Sequence, residues 1–367
     1  MEFRYTTKPG PVIVSERILK AMSSQPISHR SNEMRALYKN VTGGLRRLLY
    51  LDDRHLAFAI TASGSGFYDL IATNLIAKGE SALVVEIGAF GEKFSEALEA
   101  YHDFGFTVKR ERLEWGTACT REQLESALER HKPDILCLTH IETSTGVQNP
   151  LEKLSEAVRE YREKKELLWC VDSVSAMGGV ELRPSELKAD LVFASSQKCL
   201  GIPPGIAVGC ASREALKKAE KISRRGHYFS LPDIVKLMEK LQTPSTPAVN
   251  LMNALNAQLK HILDEETLEK RFSRHKRLAG TTREWAKKHK NLAMLNTTHP
   301  AHTVSCIRHD ETLDRECFKK KLMEKGIDAD MGYRKLAERI PNFRIAHMGD
   351  LTEKNHREIL RTYSESM

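Results

Sequence analysis

Lys198 lies in LVFASSQKCLGIPPG, residues 191–205, where five residues of strand character lead into Ser196 and Gln197 and the chain then turns through Gly201, Pro203, Pro204 and Gly205. This context puts a lysine at the end of an apolar strand, in a turn stiffened by proline. Most lysines are solvated surface charges. One withdrawn from water has a lowered pKa and becomes a nucleophile toward carbonyl carbons. Asp172 lies 26 positions upstream, at the close of a second apolar stretch, LLWCVD. A carboxylate there is costly to bury unless it meets a positive partner. A third signal is Ser63-Gly64-Ser65-Gly66, set between the apolar LAFAIT (56–61) and a helical stretch. Glycines let backbone N–H groups approach an anion, and a helix start adds partial positive charge. The full Rossmann and Walker patterns are both missing, so a nucleotide is not the first expectation.

A carbonyl-reactive lysine, a carboxylate in need of a cation and a phosphate cradle together match what pyridoxal phosphate asks of a protein. The lysine holds the aldehyde as a Schiff base, the aspartate sits on the pyridine nitrogen, and the glycine-rich helix start takes the phosphate. With that nitrogen kept protonated, the ring absorbs the electrons released when an amino acid loses its Cα proton.

These residues need a scaffold that delivers them to one place. Strand stretches at 56–61, 82–88, 107–114, 134–142, 167–174, 189–196 and 206–212 alternate, over most of this region, with amphipathic helices such as TREQLESALERHK and LEKLSEAVREYREKK. Near-continuous apolar strands between helices indicate an α/β fold with a mainly parallel seven-stranded sheet covered on both faces. Ligands of such sheets sit at the carboxyl ends of the strands, where Ser65, Gly66, Phe90, Thr143, Asp172 and Lys198 all fall. Residues 1–15 read as an arm around Pro9, Gly10 and Pro11. Residues 16–250 read as a large domain, and 251–367 as a small C-terminal α/β domain joined by one or two long helices over 248–291. Ser15 is expected to cap a short helix with apolar residues at 18, 19 and 22, and Ser31 or Asn32 a second helix. His347 is open between a helix-cap role and a place in the pocket wall.

Composition narrows the classes further. Among 367 residues, 41% are hydrophobic and 7% aromatic, with no apolar run of the length a membrane span needs. The start, MEFRYTTKPGP, has no apolar signal core, so a cytoplasmic protein is expected. The seven cysteines form no CxxC pair and no zinc-type Cys/His spacing, which implies reduced thiols and no metal. The net charge of +8 comes from basic residues interleaved with acidic ones, as in LDEETLEKRFSRHKR. That pattern marks solvated helix faces and speaks for small anionic substrates over nucleic acid.

At these residues the chain resembles the class V family of fold-type I pyridoxal-phosphate aminotransferases, in its alanine–glyoxylate and serine–pyruvate branch. The motifs run in the family's order along nearly the whole chain: PGP (9–11), HRS (29–31), SGSG (63–66), ETSTGV (142–147), VDSVSAMGG (171–179), SSQK with PPG (195–205), TPSTPAV (243–249) and FRIAHMG (343–349). The resemblance implies Lys198 as the Schiff-base lysine and proton carrier, Asp172 as the partner of the pyridine nitrogen and Val174 against the ring. It places the phosphate on Ser65, Gly66, the N–H of Phe67 and Gln197, an aromatic stack at Phe90 and Thr143 near the ring hydroxyl. Thr243 and Thr246 would reach the partner's phosphate across a homodimer interface, and Arg344, with Gly10 of the arm, would bind the substrate. Two positions depart from the family: Phe67 stands where a polar residue often follows the cradle, and Ser28 where a glycine often precedes HRS. The implied reaction moves an amino group from alanine or serine to glyoxylate or pyruvate. The alternatives are a 2-aminoethylphosphonate–pyruvate transaminase, a pyridoxal-phosphate lyase, or a relative that keeps the fold only as a binding module.

Overall fold

The structure, a computed structural model, describes residues 3–367 apart from the side chains of residues 334 and 335. Seven strands form the main sheet: β1 His55–Thr61, β2 Ser81–Glu86, β3 Thr107–Arg112, β4 Ile135–Thr139, β5 Leu168–Asp172, β6 Leu191–Ser195 and β7 Ile206–Ser212. Their order across the sheet is β1-β7-β6-β5-β4-β2-β3, and only β7 runs against its neighbours. The expected α/β fold with a mainly parallel sheet is therefore observed. Strands β2, β4, β6 and β7 are buried along their whole length, because helices cover both faces. Separate apolar clusters fill the two sides of the sheet: Leu83, Val85, Leu136 and Leu138 point into one, and Ala82, Val84, Ile135 and Cys137 into the other. The period-2 alternation of strand side chains produces that division.

A smaller antiparallel sheet follows, of β8 Leu292–Met294, β9 Val304–His309 and β10 Asn342–Ala346. It packs with the helices Leu268–Lys287, Arg315–Glu324 and Glu353–Ser366 around Phe318, Phe343 and Tyr363. The N-terminal arm joins this unit to the main sheet. Its residues Tyr5–Thr6 pair in parallel with Ile327–Asp328, and six residues later the N–H of Val12 donates to the carbonyl of Gln197.

Several local expectations change. The stretch 134–142 is not one strand: β4 ends at Thr139, and Ile141–Glu142 pairs instead with Val147–Gln148. Ser15 precedes the helix Glu16–Met22 but makes no side-chain cap, and its buried hydroxyl has no partner. Ser31 does cap the helix Asn32–Leu48, accepting from the N–H of Met34. The helical stretch over 248–291 is divided into Val249–Lys260, a π-helical turn His261–Glu266 and Leu268–Lys287. Among the described residues, no helix is long and apolar enough to cross a membrane.

Candidate active site

The carboxyl ends of five strands converge, since all of these strands point the same way. Asp172 is the last residue of β5, and Lys198 follows the end of the adjacent β6 by three residues. Lys198 is buried, and its ammonium donates to Ser175 Oγ at 3.0 Å and lies 5.2 Å from the centre of the Phe90 ring. Burial, and after it the nearby charge of Arg344, push its pKa down to about 8, against the opposing pull of Asp172. The turn beyond is held by its own backbone, with the N–H of Gly201 on the Lys198 carbonyl and Ser196 Oγ on the Pro203 carbonyl. Gly10 of the arm packs directly against this turn. Its φ of +94° suits glycine, and a Cβ there would stand 3.0 Å from Lys198 Cγ.

Asp172 is fully enclosed, and burial raises its pKa despite two hydrogen bonds that favour the carboxylate. Tyr68 donates to Oδ2 at 2.6 Å and the N–H of Val174 to Oδ1 at 2.9 Å. After β1, the SGSG segment turns into the helix Gly66–Asn74. Within it the N–H of Phe67 is spent on the Gly64 carbonyl, and the Phe67 ring is buried, stacked on Phe193 at 4.8 Å. Ser65 Oγ accepts from Lys93 Nζ at 3.0 Å. Gly64 lies so close to Val174 that a Cβ would come within 2.8 Å of it.

Phe90 opens the helix Ala89–Glu99, which begins earlier than its sequence pattern implies because the buried Glu142 carboxylate accepts the N–H groups of Phe90 and Gly91. The Phe90 ring stacks on Tyr333 at 5.1 Å. Thr143 is buried and its carbonyl accepts from Arg344, whose guanidinium is also paired with Asp330. Gln197 is half-buried beside Lys198. Thr243 and Thr246 make no hydrogen bond to Lys198 among the described residues. Thr243 bonds to the Ser245 carbonyl within its own loop, where Arg30 also donates to the Thr243 carbonyl, and Thr246 is exposed. His347 is neither a cap nor a free pocket group: it is buried, with Nε2 on Ser305 Oγ.

The sequence reading missed Tyr68, Lys93, Glu142, Ser175, Arg271 and Asp330. Arg271 is wholly buried, like Glu142, and donates to the carbonyls of Gly178 and Cys199 in the loops behind Asp172 and Lys198. A charged residue inside an amphipathic stretch carries no signal of such a role. Glu142 did leave one, as an acid closing an apolar stretch.

Residues 6–338 match the family model Aminotransferase class-V. The chain belongs to that family. This class-V aminotransferase is 34% identical to an uncharacterized aminotransferase of Methanocaldococcus jannaschii, over 96% of this chain and 89% of the other. It is 30% identical to a serine–glyoxylate aminotransferase of Methylorubrum extorquens, over 94% of this chain and 86% of that one. Its fold superposes on an alanine–glyoxylate aminotransferase from Nostoc sp. with a TM-score of 0.90 and 25% identity, covering 100% of this chain and 96% of that one.

The cofactor of this class-V aminotransferase is pyridoxal phosphate, and the residues present suit it. The buried hydroxyl of Ser195 beside Gly64 has no hydrogen-bond partner. The N–H groups of Gly64 and Ser65 have none among the described residues either, and the Lys93 ammonium adds positive charge there. Asp172 offers a buried carboxylate to a ring cation, and Lys198 an amine of lowered basicity to an aldehyde.

Proposed function

We propose that this enzyme moves the amino group of a small amino acid, alanine or serine, to a small 2-oxo acid, glyoxylate or pyruvate. The observation that carries this reading is the pairing of buried Lys198 and buried Asp172 at the ends of adjacent strands, with Arg344 close enough to depress the lysine. Relatives named for glyoxylate as acceptor support the choice of substrates.

When bound, pyridoxal phosphate supplies an electron sink for the bonds at the amino acid's Cα. The chain's own residues do the rest. Lys198 would hold the cofactor's aldehyde carbon and, as a neutral amine, would take up and return the proton at the amino acid's Cα. The Pro/Gly turn, tied by the Gly201 N–H to the Lys198 carbonyl and by Ser196 Oγ to the Pro203 carbonyl, keeps the lysine in place. Asp172, held by Tyr68 and Val174, would keep the cofactor's ring nitrogen protonated. Ser65, the N–H groups of Gly64 and Ser65, and Gln197 would hold the phosphate, with Thr243 and Thr246 contributed by the second subunit of a homodimer; the N–H groups of Gly66 and Phe67, which the resemblance assigned to it, are spent on the Ser63 and Gly64 carbonyls. Val174 and Phe90 would pack against the ring, Thr143 would serve its hydroxyl, and Arg344 and Gly10 would receive the substrate's carboxylate end.

A panel of amino donors with glyoxylate or pyruvate as acceptor tests this reading. Alanine or serine should convert the bound cofactor to its amine form, seen as loss of its near-visible absorbance, and Lys198→Ala should abolish turnover. A panel in which no donor does so would overturn the reading.

A further inference from the structure

The family resemblance implies that Arg344 binds the substrate's carboxylate, yet the structure shows it already gripping a carboxylate. Nε donates to Asp330 Oδ1 at 2.8 Å and Nη2 to Oδ2 at 2.7 Å, while Nη1 donates to the Thr143 carbonyl at 3.1 Å. Both side chains are almost wholly buried. A guanidinium has five N–H donors in a rigid fork. Among the described residues three are engaged, which leaves one on each of Nη1 and Nη2.

Asp330 is itself held from three directions. Its Oδ1 accepts the N–H of Gly332 at 3.0 Å, its own N–H donates to Thr7 Oγ1 at 3.3 Å, and its carbonyl accepts the N–H of Arg344 at 3.1 Å. The guanidinium carbon lies 5.1 Å from the Tyr333 ring, which stacks on Phe90, whose ring centre is 5.2 Å from Lys198 Nζ. The unspent donors therefore belong to a fixed group in the wall of the lysine site.

We propose that Asp330 is the positioning residue of the substrate site: it locks one side of the Arg344 guanidinium so that the two remaining N–H groups meet the carboxylate of the amino acid. This rests on the reading of Arg344 as the carboxylate receptor. An arginine on a strand that is not held in this way must give up rotamer freedom each time substrate binds. Asp330 removes that cost in advance while offsetting the arginine's charge, so geometry more than net attraction does the selecting.

The test uses the cofactor-loaded enzyme and reads KM for alanine, kcat, and the apparent Kd of propionate from the perturbation of the cofactor's absorbance, which needs no turnover. Asp330→Asn keeps the shape but opposes N–H to N–H; it should raise KM and the propionate Kd roughly ten- to hundredfold, the scale expected when a positioning group is misplaced. The value of kcat at saturation should hold within about threefold, since the variant leaves Lys198 and Asp172 untouched. Asp330→Glu, which keeps the charge and displaces it, should fall between the two. A purely structural ion pair would instead lower thermal stability while leaving the propionate Kd alone, and that result overturns the proposal. Arg344→Ala separates the two levels: if it too leaves KM and Kd unchanged, the reading of Arg344 fails and the proposal with it. If Arg344→Ala raises both and Asp330→Asn raises neither, only the proposal fails. Should Asp330→Asn not fold, Asp330→Glu carries the same decision, an unchanged propionate Kd overturning it.

Discussion

Lys198 shows how a single side chain acquires reactivity from its position. An exposed lysine is almost wholly protonated at pH 8, whereas burial and Arg344 bring Lys198 down to about 8. The sign follows directly: below pH 8 the ammonium has no lone pair, and above it the neutral amine predominates. The rate at which apo-enzyme captures pyridoxal phosphate should therefore climb about tenfold per pH unit below 8 and level off above it. Stopped-flow absorbance across pH 6 to 10 measures this, and a midpoint near the ordinary lysine value would contradict it. Lys198, Asp172 and Ser65 were legible in the sequence because each closes or follows an apolar strand, and parallel strands deliver their ends to one edge. Tyr68 and Asp330 were not, because their meaning lies in partners 104 and 14 positions away that only the folded chain brings within 2.8 Å.

The elements of the site are joined by buried polar ties more than by the sheet alone. The helix Leu268–Lys287 sends the fully buried Arg271 to the Gly178 and Cys199 carbonyls and to the carboxylates of Glu266 and Asp350. It thereby fixes the loops behind Asp172 and Lys198 to each other. Arg271→Met should cost about 3 kcal/mol, because truncating one member of a buried ion-pair network strands its partners. Arg274, Arg17 and Gln258 keep some compensation for Glu266 and Asp350, which holds the expectation at the lower end of the usual range. Denaturant unfolding followed through the cofactor band would measure it, and a loss below 1 kcal/mol would show that the ties are redundant. The strands and most helices were readable from periodicity. The break of 134–142 at His140 and the π-helical turn at 261–266 were not, since local pattern is continuous through both.

At the scale of the molecule, Thr243 and Thr246 make no hydrogen bond to Lys198 of their own chain among the described residues, and this is where the proposed homodimer has its work. Their loop adjoins the carboxyl end of β1, where Ala248 bonds to Thr61 Oγ1 and Tyr228 to the Thr61 carbonyl, and Arg30 reaches it from the HRS loop. Among the described residues, the large apolar side chains left exposed are Ile13, Leu19 and Tyr228. Two of these flank the arm that passes Lys198, and the third stands beside the threonine loop. We take these exposed groups and the threonine loop as the surface that the proposed second subunit would cover. Leu19→Glu puts a charge on that surface without touching the core, since the side chain is about half exposed in the single chain. The variant should shift sedimentation from dimer toward monomer. It should also release pyridoxal phosphate at least tenfold more readily, because each phosphate loses the threonines of the other subunit and their charge-assisted hydrogen bonds. Wild type that sediments as a monomer while keeping its cofactor would remove the partner from the site altogether.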